Sequence, residues 1–312
     1  MFAVDAGNTR LKIGFFSPDS IRNGEYVLPE YAAELVSPVI SELDYARRVG
    51  YTDRLKITEE LLSGIDEPQD WFVAQTGKFP WNELQKQISE LRPKDRFIFL
   101  SYEDIPLETD VDNPASVGLD RLLAAFAALQ WRNVHEKELE FGTDSPVIIA
   151  DAGTALTVDL LTPEGHFGGG VIFPGLDALA DTLAGISPRL PKVEIPNVWD
   201  AGFPAKNTQE ACAAGIVWGT IGVILHFYET AHRHHRCSLQ YSPLKTSEEL
   251  PNPMSSQWIP LLLTGGDTFV LREGITPAYI QKYPNTLLHT EQYLVLSGIA
   301  AVVNSRDNTE TL

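Results

Sequence analysis

Apolar residues along this chain fall into short blocks with two different periods. Phe2 to Val4 is a continuous apolar run that passes into Asp5-Ala6-Gly7-Asn8-Thr9, a stretch with turn chemistry. Beyond it Leu11, Ile13 and Phe15 alternate with Lys12 and Gly14, the period-two signature of a strand. The chain therefore opens with a predicted β-hairpin whose tip is polar. Trp71 to Ala74 and Phe97 to Leu100 read as further short strands, and Tyr31 to Val49 and Trp81 to Leu91 as helices. Strands alternating with helices predict an α/β layered domain. Ser116 to Trp131 follows as a helix, because Leu119, Leu122, Leu123 and Phe126 fall at i, i+3, i+4 and i+7 on one face.

The second half opens as the first does. Val147 to Ala150 is a buried strand that runs into Asp151-Ala152-Gly153-Thr154, and Val158, Leu160 and the stretch after Gly165 return. Apolar strand, Asp-Ala-Gly, polar turn and return strand thus occur twice, which predicts a duplicated domain with a cleft between its halves. Asn207 to Arg233 is a long helix with Ala211, Gly215, Gly219 and Gly222 along one stripe. That stripe suits close helix packing, either within the domain or across a dimer. Pro243 to Pro260 reads as an exposed loop. Ile259 to Thr264 reads as a strand closing on Gly265-Gly266-Asp267, and Gln292 to Val303 as a last helix. The acidic stretch Ser101 to Pro114 marks the expected boundary. It divides an N-terminal domain (1–114) from a C-terminal one (115–304), with a polar tail at 305–312.

Composition narrows the function. A net charge of −18 over 312 residues, with no run of Lys or Arg, argues against a nucleic-acid partner. Any phosphate site must then be local, built from backbone amides, one or two cations and a metal. Two cysteines, Cys212 and Cys237, make no disulfide framework. No leader and no uninterrupted apolar stretch of ~18 residues is read, so the expected location is cytoplasmic, without a membrane partner.

Three segments carry candidate chemistry. In Asp5 to Thr9, Gly7 lets the backbone turn tightly, and turn amides bind anions. Lys12 can neutralise phosphate, while Asp5 suits only a role through Mg²⁺ or water. Asp151-Ala152-Gly153-Thr154 is the second such hairpin, and Thr264-Gly265-Gly266 offers a wall without side chains beside a nucleoside. In Asn113 to Arg121, Asp120 lies beside the apolar helix face, where partial burial raises a carboxylate's pKa and makes it a better base. Arg121 can bind a carboxylate with a bidentate fork. His232, His234, His235 and Cys237 admit either a zinc site or a polar helix end.

The sequence resembles the type III pantothenate kinases along most of its length. The matching blocks are DAGNTRLKIGFF at Asp5 to Phe16, NPASVGLDR at Asn113 to Arg121, DAGTALTVD at Asp151 to Asp159, GGGVIFPGL at Gly168 to Leu176, NTQEACAAG at Asn207 to Gly215 and TGGD at Thr264 to Asp267. The resemblance implies two ribonuclease H-like (actin-like) domains around a nucleotide cleft, and transfer of the γ-phosphate of ATP to pantothenate, the first step of coenzyme A biosynthesis. It implies an ATP loop of Asp5, Ala6, Gly7, Asn8, Thr9, Arg10, Leu11 and Lys12, with Thr154 also on ATP. Gly118, Leu119, Asp120, Arg121 and Thr208 would contact pantothenate, with Asp120 as proton acceptor. Asp151 would hold K⁺ or NH₄⁺ and Asp5 would serve Mg²⁺, in a homodimer. One departure is Val111, where family members often carry a Tyr before the Asn-Pro. Trp71 to Phe79 matches the family poorly and is assigned no role. Other implied readings are another actin-like small-molecule (sugar) kinase or a non-catalytic accessory factor of gene expression.

Overall fold

The computed structural model describes residues 1–21, 26–36, 62, 64–135, 145–195, 202–240, 259–282 and 288–310. The expected loop at 243–260 lies almost wholly outside these residues, as do positions 37–49 of the expected second helix. Contacts divide the chain into two units. Unit 1 gathers Met1–Leu107, Asp112–Gln130 and Tyr293–Leu312, and unit 2 gathers Glu108–Val111 and Trp131–Gln292. This differs from the expected boundary at 114, for residues 112–130 and the C-terminal segment group with the first sheet. The reason is packing: the last helix lies against the first strand, and its Gly298 sits against the Leu123 backbone.

The sheet of unit 1 contains β1 (Phe2–Ala6), β2 (Arg10–Phe15), β3 (Tyr31–Val36), β4 (Asp70–Gln75) and β5 (Arg96–Phe99), in the order β3-β2-β1-β4-β5. β1, β2 and β3 pair antiparallel, while β4 and β5 run parallel to β1. Residues 31–36 are thus a strand, not the start of a helix. Ala33 and Leu35 turn toward the core with period two, and that alternation outweighs the helical spacing of the longer segment. Helices α1 (Pro18–Ile21) and α2 (Trp81–Leu91) complete this part of the unit. An aromatic stack supports the sheet: Phe2 lies 4.1 Å from Trp71, and Trp71 lies 5.8 Å from Phe97. Asp95 locks the entry to β4, accepting from Trp71 Nε1 at 2.9 Å, the Gln69 amide at 3.0 Å and Arg92 Nε at 2.7 Å.

Helix α3 (Leu119–His135) buries Leu122, Leu123 and Phe126, as its spacing predicts. Unit 2 is built on β6 (Val147–Ala152), β7 (Ala155–Leu161), β8 (Phe167–Pro174), β9 (Leu261–Thr264) and β10 (Leu288–Thr290), in the order β10-β9-β6-β7-β8. Read from β6, this is the same order and the same pattern of directions as in unit 1. Each unit therefore holds one ribonuclease H-like sheet, and the duplication legible in the two Asp-Ala-Gly hairpins extends to whole sheets.

Helices α4 (Leu176–Ile186), α5 (Thr208–Gln240) and α6 (Thr268–Lys282) belong to unit 2, and α7 (Leu294–Glu310) returns to unit 1. Most of the expected polar tail at 305–312 is thus the last turns of α7. By length and composition Thr208–His235 could cross a membrane. It instead buries Ile216, Val217, Ile221, Ile224 and Tyr228 in the core of unit 2.

Candidate active site

The first hairpin ends in a closed turn. The Gly7 amide donates to Arg10 O at 3.0 Å, so this N–H serves the turn rather than a ligand. A second segment presses on the tip. After β4, Thr76 and Gly77 donate their amides to Ala6 O, both at 3.0 Å, and Phe79 donates to Gly7 O at 3.1 Å. The Lys78 amide donates to Asn8 Oδ1 at 3.3 Å. Only glycine can stand at 77, because a Cβ there would lie 2.1 Å from the Gly7 carbonyl carbon. Asp5 and Lys12 are directly opposite in the β1–β2 register. Arg10 pairs with Glu34 at 3.1 Å across β2 and β3. Ala6 and Leu11 are fully buried, so of these two only backbone is available to a nucleotide.

The second hairpin repeats this construction in unit 2. The Gly153 amide donates to Ala155 O at 3.0 Å, and the Asp267 amide, from the turn after β9, donates to Ala152 O at 3.0 Å. Gly265 takes φ of +93°, and a Cβ on it would stand 2.4 Å from Ala152 O and 2.5 Å from Asp151 Oδ1. Gly175 packs as closely on Gly153 O and Thr154 O. Asp151 is opposite Thr157 on one side and Thr264 on the other, and Thr154 is exposed. Asp151 is partly buried in β6, and its carboxylate could balance the charge of a monovalent cation. Among the described residues no group of three or more His, Cys, Asp or Glu could hold a metal.

Asp120 stands in the first turn of α3, partly buried. Its Oδ1 accepts the Arg121 amide at 2.9 Å. A side chain at Gly118 would put a Cβ 2.5 Å from that same oxygen, which explains the glycine two positions earlier. Burial raises the carboxyl above the usual aspartate range, and the Arg121 amide and guanidinium only partly offset this. The expected direction is thus met, and by the expected cause. Leu119 and Arg121 are partly buried, and Gly118 is exposed. Thr208 is exposed at the start of α5, where Asn207 Oδ1 accepts the Glu210 amide at 2.9 Å. The structure thus brings Asp5 to Lys12 and Gly118 to Arg121 into unit 1, and Asp151, Thr154 and Thr208 into unit 2.

Two segments gain significance that sequence reasoning did not give them. The Thr76-Gly77-Lys78 turn was assigned no role, although a Thr-Gly pair closing a buried strand is the same signal that drew attention to Thr264-Gly265. His166 was also missed. Its ring nitrogens face Glu108 Oε2 at 3.2 Å and Asp110 Oδ1 at 3.0 Å, and this contact seats the 108–111 segment along β8. Of the histidine cluster, His232 is buried and stacks 6.2 Å from Tyr228, whose hydroxyl donates to Ile259 O at 3.1 Å. Cys237 has its side chain outside the described residues.

The chain is similar to several known proteins. A type III pantothenate kinase from Sulfurihydrogenibium sp. (strain YO3AOP1) is 23% identical over 300 residues, covering 96% of this chain and 97% of its own length. Another, from Synechococcus sp. (strain JA-3-3Ab), is 33% identical over 245 residues, covering 77% and 78%. Among solved structures, the activator of the 2-hydroxyisocaproyl-CoA dehydratase from Clostridium difficile, with bound ADPNP, aligns over 100% of this chain and 98% of its own. Its identity is 13% and its TM-score 0.41. The family model described as type III pantothenate kinase matches residues 1–230, and the chain belongs to that family.

Proposed function

We propose that this protein transfers the γ-phosphate of ATP to the primary hydroxyl of pantothenate, giving 4'-phosphopantothenate and opening coenzyme A synthesis. The observation that carries the reading is Asp120. It is a carboxylate whose affinity for a proton is raised by burial, held in place by the Arg121 amide, beside a guanidinium suited to pantothenate's carboxylate. In this mechanism Asp120 accepts the proton of the attacking hydroxyl, while Arg121, Gly118 and Leu119 orient the acceptor, with Thr208. The hairpin of Asp5 to Lys12 holds the phosphates, and Thr154 contacts ATP. Phosphoryl transfer needs mainly positioning and charge stabilisation, which such groups provide.

Mg²⁺ would accompany ATP near Asp5, and K⁺ or NH₄⁺ would sit at Asp151. Bound there, the cations would neutralise charge that develops on the transferring group. The family relation also supports a cytoplasmic homodimer. The exposed face of α5 fits that reading: Gly215, Gly219 and Gly222 have open space where a Cβ would stand, and Trp218 is 41% exposed beside them. The low pI of about 4.7 favours a small-molecule kinase over a nucleic-acid partner.

The test is complementation of a strain lacking pantothenate kinase, paired with a purified assay in which ATP meets pantothenate, glucose and N-acetylglucosamine. Growth rescue and phosphorylation of pantothenate alone are expected. Transfer to a sugar in preference to pantothenate overturns the proposal.

A further inference from the structure

The two hairpins are built alike but carry opposite charge beside their tips. In each unit the strand parallel to the first one ends in a turn that docks on the hairpin. Gly77 and Asp267 donate their amides at 3.0 Å to equivalent carbonyls, those of Ala6 and Ala152. In unit 2 that turn brings a carboxylate, Asp267, to the hairpin of Asp151. In unit 1 it brings an ammonium, Lys78, to the hairpin of Lys12. The carboxyl ends of parallel strands are where α/β sheets place their ligands, so this difference in sign bears on what each hairpin receives. One tip suits a cation and the other an anion.

We infer that Lys78 is a second polyphosphate-binding cation, and that the Thr76-Gly77-Lys78 turn forms half of the nucleotide phosphate site; this rests on the kinase reading above. Three observations carry it. First, the turn is fixed to the tip by the amides of residues 76 to 79, so Lys78 has a defined position relative to Asn8. Second, the Lys78–Asn8 bond occupies Asn8 Oδ1, which leaves the Asn8 Nδ2 hydrogens as its donors toward a phosphate oxygen. Third, cations are scarce there. Arg10 is engaged by Glu34 at 3.1 Å. Lys78 is exposed, and among the described residues no carboxylate stands within ion-pair distance of it. In a chain of net charge −18, an unpaired lysine beside a glycine hairpin is well suited to meet a triphosphate.

Direct binding of MgATP, MgADP and adenosine to wild type, Lys78→Ala and Lys78→Arg tests this. Lys78→Ala is expected to weaken MgATP binding about tenfold, as loss of one charge-assisted contact does, and to leave adenosine affinity unchanged. Lys78→Arg is expected to restore most of the loss. In turnover the alanine variant raises KM for ATP more than it lowers kcat, with KM for pantothenate unmoved. Equal MgATP affinity in wild type and Lys78→Ala overturns the inference and leaves the kinase reading standing. Equal losses for ATP and adenosine also overturn it, since they show a structural role. A wild-type protein without measurable MgATP affinity sinks both.

Discussion

At Asp120 two demands on one side chain conflict. The carboxyl is desolvated, so the folded state holds its proton more tightly than the unfolded chain does. Stability from that proton is fully present below the ordinary aspartate pKa and is lost as pH rises through the raised folded value. The proposed role as base needs the other form, because only the ionised carboxylate can accept a proton. Asp120→Asn is therefore expected to abolish phosphate transfer, to leave MgATP binding intact and to raise the melting temperature at neutral pH by roughly 1–2 °C. Calorimetry beside a coupled assay reads both, and a variant that keeps near-normal turnover removes Asp120 as the base. In wild type the acid limb of kcat is expected above the ordinary carboxylate range of about 4, measured in a buffer series of constant ionic strength. Gly265 gives a second prediction at this scale. With φ at +93° and a Cβ that would fall 2.4 Å from Ala152 O, Gly265→Ala forces the β9 turn off the second hairpin. A loss of about 2–4 kcal/mol in urea unfolding is expected, since strain and a steric clash act together.

Among the elements, the segment 108–111 is held by one side chain. His166 faces Asp110 and Glu108, and its hydrogen bond to Asp110, helped by the charges of Asp110, Glu108 and Glu164, raises its pKa. The bridge it supports is fully present below the ordinary histidine value and is lost as pH rises through the raised one. The Asp110 and Phe167 amides, which donate to Phe167 O and Glu108 O, are expected to exchange with solvent faster at pH 8.5 than pH alone requires. His166→Gln is expected to show that faster exchange already at pH 6. Hydrogen exchange followed by mass spectrometry or NMR measures it. The same segment shows what a sequence can reveal. Its acids mark a boundary, but nothing local says that they pair with a histidine more than fifty positions on. The two hairpins were legible because strand alternation and Asp-Ala-Gly are local signals. The turns that dock on them were not, because register between β1 and β4 is set by tertiary pairing. The third strand was misread for a related reason. Tyr31 to Val36 satisfies both periods, and only its pairing with β2 decides.

For the whole molecule, sequence order and spatial grouping part company. The first unit is completed by the last helix, so a boundary drawn along the chain could not find it. Leu294, Leu296, Ile299 and Val302 of α7 are fully buried. Burying such side chains contributes about 1.5–3 kcal/mol each, so together they rival the whole stability of an ordinary domain. Deleting residues 294–310 is expected to give insoluble protein, or protein without a cooperative thermal transition. Gly298→Ala tests the same packing more gently. Its Cβ would stand 2.2 Å from Leu123 O, and a fall in melting temperature is expected without a change in secondary structure.

The position of α7 also sets a timetable for biogenesis. On the ribosome β1 and β2 emerge well before α7, the helix that packs on them. The nascent chain therefore carries the side of these strands that α7 packs on uncovered until that helix emerges. A chaperone that shields those strands has the interval between the two elements in which to act.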